Sequence, residues 1–291
     1  MLAIVSTPAA AGLDPDEAPL LEGLRAELGS AAVEVVHWND PTVEWSRLDA
    51  ALIRATWDYI DALDDFLAWT DRVGRATRLL NPPAVVRWNV DKRYLGRLEQ
   101  VGIPTVPTTY VAPGESAPAV PGTCVVKPTV GAGSNGARRC APGTAAAHVA
   151  TLHRAGRTAM VQPYLERLDD RGETALCFLP DRTGALRFSH AFSKAAILDV
   201  DEPEREGDLF AREEIGPRTP TAEERELARR VLAAEPVIEL GPLAYARVDL
   251  APSESGPVLM ELELVEPSMY FDVAPGAAAR AAAGFAAFLG S

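Results

Sequence analysis

Two segments near the end of the chain, Leu243–Leu250 and Val258–Val265, alternate charged and apolar residues with the period of a β-strand. Tyr245, Arg247 and Asp249 fall on one parity of the first. Glu261 and Glu263 share a parity in the second, within the run Met260–Pro267 that reads MELELVEP. Ala251–Pro257 is a short connection, so the two segments are expected to pair as a hairpin. Direct pairing sets Asp249 opposite Glu261 and Arg247 opposite Glu263. The apolar face, Val248, Leu250, Leu262 and Leu264, requires a core. The charged face has two readings: an amphipathic hairpin wetted by solvent, or carboxylates gathered around a hard divalent cation, with the arginine turned toward an anion.

The first 85 or so residues alternate strand and helix, the rhythm of a small parallel sheet. Strands are expected at Leu2–Ser6, Val33–Trp38, Ala50–Ala55 and Thr77–Leu80, with helices over Pro15–Leu28 and Asp61–Arg75. Ligands of such sheets sit at the carboxyl ends of strands. Arg54, Thr56, Trp57 and Asp58 are therefore candidate substrate contacts, although Trp57 and Tyr59 would serve equally to cap the core.

Beyond residue 88 the pattern changes. A helix is expected over Asp91–Val101. Strands follow at Thr105–Tyr110, Thr123–Lys127 and Met160–Tyr164, with a helix over Ala145–Ala155. Further strands are expected at Thr174–Leu179 and Leu186–Lys194. The acidic, aperiodic Asp199–Thr219 reads as a mobile loop. Thr221 and Glu224 form a capping box for a helix to Ala234, and Ala277–Leu289 is a terminal helix.

Three further features carry chemistry. The strand Thr123–Lys127 ends in a lysine and opens into Gly131, Gly133, Ser134, Asn135 and Gly136, a loop flexible enough to wrap phosphate oxygens. Its spacing matches the dinucleotide fingerprint. Pro142 and Gly143, however, argue against the helix which that fingerprint requires. Lys194 ends a strand on the parity of Phe188, His190 and Phe192, an inward face where an ammonium needs an anion or a route to water. Gln162, Pro163, Tyr164 and Leu165 form a strand end whose backbone could serve a flat ligand or be a plain connector.

The chain has 28 basic and 41 acidic residues, a net charge of −13 over 291 residues. That field repels nucleic acid and anionic membrane surfaces, so any anion site must be built locally. Cys124, Cys140 and Cys177 are too scattered for a metal or disulfide pattern. The opening MLAIVSTPAAAGLDPDE has no basic leader, and no apolar run approaches the ~18 residues of a membrane span. A cytoplasmic protein is expected.

Taken in order, Asp91-Lys92, the VVKP lysine, the Gly-rich flap, VQPYL, the strand-end lysine, ARVDL and MELELVEPS resemble the ATP-grasp superfamily over roughly residues 88–270. RATWDY, RWNVDKRYL and LELVEPSMYF are similar to the branch containing the O-ureido-serine cyclo-ligase of cycloserine biosynthesis. The resemblance implies a mixed α/β fold: an N-terminal Rossmann-like unit (1–87), a small lobe with the flap (88–162) and a C-terminal lobe with the metal (163–291). It implies that Lys92 and Lys127 hold the α- and β-phosphates of ATP, that Gly131–Gly136 cover them, and that Gln162–Leu165 line the adenine. It further implies Lys194 and Arg247 at the γ-phosphate, and Asp249, Glu261 and Glu263 as ligands of Mg²⁺ or Mn²⁺. Glu263 departs from the asparagine common in the superfamily. The implied activity is ATP-dependent carbon–nitrogen ligation of a small amino-acid-like carboxylate through an acylphosphate, ring-forming or intermolecular, with Tyr270 a further substrate contact. An ATP-binding protein without activity and a nicotinamide-dependent oxidoreductase are the alternatives. A homodimer or higher oligomer is left open.

Overall fold

The structure, a computed structural model, describes residues 1–196, 205–206, 210–211 and 214–289. Strands β1 (Leu2–Ser6), β2 (Val33–His37), β3 (Ala50–Ile53) and β4 (Arg78–Leu80) form a parallel sheet in the order β2-β1-β3-β4. Helices α1 (Glu17–Leu28) and α2 (Leu63–Ala76) cover its two faces. Leu2 and Ile4 point to the α1 side, whereas Ala3 and Val5 point to Phe66 and Trp69 of α2. Burial on both faces explains why these strands read as unbroken apolar runs.

Two short helices follow: α3 (Pro83–Asn89), which the sequence did not suggest, and α4 (Tyr94–Gln100), the helix expected within Asp91–Val101. The break falls at Asp91, whose carboxylate takes the backbone N–H and guanidinium of Arg93. Pro83 occupies the first turn of α3, a position that suits its missing N–H. The next sheet has the order β5-β8-β6-β7, made of β5 (Thr109–Val111), β6 (Cys124–Pro128), β7 (Arg138–Cys140) and β8 (Ala159–Pro163), with α5 (Ala145–Arg154) on one face. The expected strand from Thr105 is split. Thr105 bridges to Leu259 of another sheet, and only Thr109 onward joins β8.

After α6 (Arg167–Arg171), the third sheet runs β13-β10-β9-β14-β15, wholly antiparallel. Its strands are β9 (Glu173–Pro180), β10 (Leu186–Lys194), β13 (Ile215–Pro217), β14 (Ala246–Ser253) and β15 (Gly256–Glu263). Arg205–Glu206 (β11) and Phe210–Ala211 (β12) pair separately. The loop expected over Asp199–Thr219 lies largely outside the described residues, and its Ile215–Pro217 portion is a strand paired with Phe192–Lys194. Helices α7 (Ala222–Leu232) and α8 (Glu235–Ile238) cover one face, and the Thr221–Glu224 capping box is present. The last helix, α9 (Ala277–Ala287), lies between α1 and β9. Contact there is so close that a Cβ on Gly284 would stand 1.9 Å from the Pro180 carbonyl oxygen.

The free edge of β15 pairs with the backbone of Pro104 and Val106 at Leu259, and beyond that bridge it is satisfied by side chains. The Asn89 amide donates to the Leu262 carbonyl and accepts the Leu264 N–H, both at 2.7 Å. Tyr94 Oη donates to the Leu262 carbonyl and accepts its N–H. Asn81, in a left-handed conformation at φ 56°, bonds Ala244, Tyr245 and Leu264 in the same way. These contacts fix the height and tilt of the strand that carries Glu261 and Glu263.

Candidate active site

The three sheets converge on one cavity of about 420 Å³. The expected hairpin register is present, with Arg247 opposite Glu263 and Asp249 opposite Glu261. On β9 and β10, Glu173 stands opposite Lys194. The parity assigned to Phe188 fails, because the register slips between Phe188 and His190 and leaves Phe188 on the surface. His190, Phe192 and Lys194 stay buried. His190 hydrogen-bonds the Met269 carbonyl at 2.6 Å, so it is a satisfied core histidine.

Charges alternate in sign across the cavity floor. Lys92 Nζ lies 2.9 Å from Glu261 and donates to the Gly131 carbonyl at 2.6 Å, joining the flap to the floor. Lys194 Nζ lies 2.7 Å from Asp249 and 3.0 Å from Glu173. Arg247 donates to both oxygens of Asp249, at 2.9 and 2.8 Å, and to Glu263. Burial alone would raise Glu261, but Lys92 and Lys127 outweigh it and hold it below the ordinary carboxylate range. Asp249 is likewise raised by burial, yet Arg247 and Lys194 hold it at about 2. For Glu263 burial wins; with the neighbouring Glu261 and Asp249 it overcomes Arg247 and pushes the carboxyl up to about 8.

Lys127 points into the same space, and among the described residues no hydrogen bond or ion pair reaches its ammonium. Burial depresses its pKa, Glu261 partly offsets that, and Lys92 and Lys194 depress it further. A recessed cation among other cations, close to Glu261 and Glu173, suits a bound polyanion. Among the described residues no three His, Cys, Asp or Glu side chains form a ready metal cage.

The flap is an ordered turn, with positive φ at Gly133, Ser134 and Gly136. It continues into β7 and not into a helix, so the dinucleotide fingerprint does not apply. Gly131, Gly133, Ser134 and Asn135 line the cavity, while Gly136 packs behind it against Pro128 and bonds His148 through its carbonyl. At the hinge Gln162, Pro163, Tyr164 and Leu165 all line the cavity. Gln162 is anchored by Thr108 at 2.8 Å, and the Tyr164 ring lies 3.6 Å below the Arg139 guanidinium.

The substrate-contact candidates divide. Trp57 and Tyr270 line the cavity. Arg54, Thr56 and Asp58 do not. Arg54 is held inside the fold by Asp16 at 3.1 Å and the Pro267 carbonyl at 2.8 Å, Thr56 is wholly buried, and Asp58 accepts from Thr7 and Trp38. As contacts these three are corrected to scaffold, because strand-end position gives reach but not direction. Asp249 also stands behind the cavity wall. Tyr59, in the loop the sequence singled out, lines the cavity; sequence reasoning missed Glu266 and Ser268, which line it too, and Asp16, which carries the loop bearing both.

These features define the ATP-grasp class, and the comparisons agree. The RimK domain ATP-grasp protein of Sphaerobacter thermophilus superposes with a TM-score of 0.62 at 17% identity, covering 97% of this chain and 98% of that one. Residues 2–81 match the family model described as D-cycloserine synthetase DcsG, N-terminal domain. The cycloserine biosynthesis protein DcsG of Streptomyces lavendulae is 38% identical over 286 residues, 92% of each chain. The crystal structure of D-cycloserine synthetase DcsG superposes with a TM-score of 0.86 at 36% identity, covering 99% of both chains. The chain belongs to the DcsG family of ATP-grasp ligases.

Proposed function

We propose that the protein is an ATP-dependent ligase that activates the carboxylate of a small amino-acid-like substrate as an acylphosphate, which a nitrogen of the same molecule then attacks to close a ring. The observation that carries this reading is the self-paired floor of Lys92, Lys194, Arg247, Asp249, Glu261 and Glu263, with Lys127 left over. Phosphate oxygens compete for the cations, and a divalent metal, Mg²⁺ or Mn²⁺, competes for the carboxylates, so the two together replace the ion pairs without stranding a buried charge. Lys92 and Lys127 are assigned to the α- and β-phosphates, Lys194 and Arg247 to the transferring phosphate, and Gln162–Leu165 to adenine. Glu261 and Glu263 would hold the metal, with Asp249 joining once Arg247 and Lys194 turn to phosphate. Bound there, the metal would neutralise phosphate charge.

The protein's own residues place the carboxylate against the γ-phosphate and exclude water, which would hydrolyse the acylphosphate. The flap tied to Lys92 supplies that cover. Similarity to DcsG favours the ring-forming version over an intermolecular one and supports a role in antibiotic biosynthesis. Among the described residues no helix is long and apolar enough to cross a membrane, in keeping with a cytoplasmic enzyme. The reading retains the division at 1–87, 88–162 and 163–291, and admits a homo-oligomer. The test is phosphate release from Mg·ATP with O-ureido-serine and a panel of amino acids. Release that depends on the ureido compound supports the reading, and intact ATP binding without any substrate-dependent release sinks it.

A further inference from the structure

With nucleotide and metal at the hinge end and the floor, one end of the cavity remains. It is walled by Leu13, Trp57, Tyr59, Glu266, Ser268 and Tyr270. Glu266 supplies its one carboxyl group among the described residues. The Tyr59 hydroxyl donates to that carboxylate, and the Trp57 indole N–H donates to the Glu266 backbone carbonyl at 3.4 Å. Tyr59 is itself fixed, stacked on Phe66 with ring centroids 4.7 Å apart. The carboxyl therefore has a set position where the substrate must lie, outside the proposed metal ligands.

Resting on the ligase reading above, we propose that Glu266 is the general base that accepts the proton of the attacking nitrogen, and that Tyr59 is its positioning residue. In the step, the nitrogen lone pair forms the C–N bond at the acylphosphate carbon. The C–O bond to phosphate breaks, inorganic phosphate leaves with that electron pair, and the N–H proton passes to a carboxylate oxygen of Glu266. No oxidant or further reactant is needed.

The charged groups facing Glu266 are Lys92 ahead of α4, Tyr59 from the first unit, and Glu261 and Arg247 from the hairpin. Burial raises its carboxyl to about 7 despite Lys92 and Tyr59, which lower it. A base poised near neutrality removes a proton far better than an ordinary carboxylate, and such a group is worth about 10²–10⁴-fold in rate.

The experiment measures product formation against pH for the full chain with Mg·ATP and O-ureido-serine. Wild type is expected to gain rate as pH rises through about 7. Glu266→Gln should lose roughly 10²–10³-fold in kcat and lose that limb, with KM for ATP unchanged. Tyr59→Phe removes a hydrogen bond that lowers the Glu266 pKa, so its limb should move to higher pH while the fold persists. Wild type that forms no product with any member of the amino-acid panel overturns the ligase reading. Active wild type with an unchanged limb in Glu266→Gln, or in Tyr59→Phe where the first variant fails to fold, overturns the assignment to Glu266 alone.

Discussion

The carboxylate of Asp16 accepts the backbone N–H of Tyr270 at 3.1 Å, although 254 positions separate the two residues. The same side chain takes the N–H groups of Met269 and Phe271 and the guanidinium of Arg54. Tyr270 is held at φ 46°, a left-handed conformation that a bulky side chain keeps only when its surroundings dictate it. Replacing Asp16 by alanine strands Arg54 inside the fold and frees the loop. The expected loss is about 3–5 kcal/mol of stability, read by urea unfolding. In whatever folds, substrate KM should rise more than KM for ATP.

Asp14 gives a pH signature. Burial, against the opposing pull of Arg54, pushes its carboxyl up from 3.8 to about 6. A raised acid favours the protonated folded state, so its contribution is full below pH 3.8 and is lost as pH climbs through about 6. Asp14→Asn keeps an oxygen for the Asp16 N–H. The variant should be more stable than wild type above pH 6, by about 2–3 kcal/mol. Melting curves at pH 4 should nearly coincide.

Lys127→Met removes the recessed ammonium. Catalytic efficiency for ATP is expected to fall about 10²–10³-fold, the usual cost of deleting a charge aimed at the reacting anion. The unliganded melting temperature should not drop, since burial and two neighbouring lysines already disfavour that charge. A clear drop would mean that Lys127 holds the fold together.

Gly172 sits at φ 62°, where a Cβ would approach the Lys194 carbonyl oxygen to 2.5 Å. Alanine there meets about 1–2 kcal/mol of backbone strain and must push the Lys194 strand aside. Lower melting temperature and lower kcat are expected together. Wild-type kcat in the alanine variant would show that the position of Lys194 tolerates the shift.

Much of this was legible wherever a local rule reaches the site. Period-two alternation placed Arg247, Asp249, Glu261 and Glu263 correctly, because a hairpin with a short connection leaves few registers. Extending the strand at Thr174 by one residue would have found Glu173, the cross-strand partner of Lys194. Alternation failed at Phe188, where a bulge shifts the register without a glycine to announce it. Glu266 lies past the end of its strand, where period no longer assigns a face. Asp16 precedes α1 but holds a loop near the other end of the chain, and no sequence spacing encodes that contact. Arg54 shows the converse error: a cation at a strand end looks like a substrate grip until its partners are seen.

The last helix, wedged between α1 and β9, has a mechanical consequence. With the Asn81, Arg54 and Asp16 bonds it welds the first sheet to the third, and the first and last helices close on each other like the two ends of a buckled belt. The sheet of β5 to β8 keeps a core of its own, drawn from residues 111–161. It joins the core of the third sheet through Met160 and Tyr110, so those two side chains are the packing link through which that lobe leans on the rigid remainder.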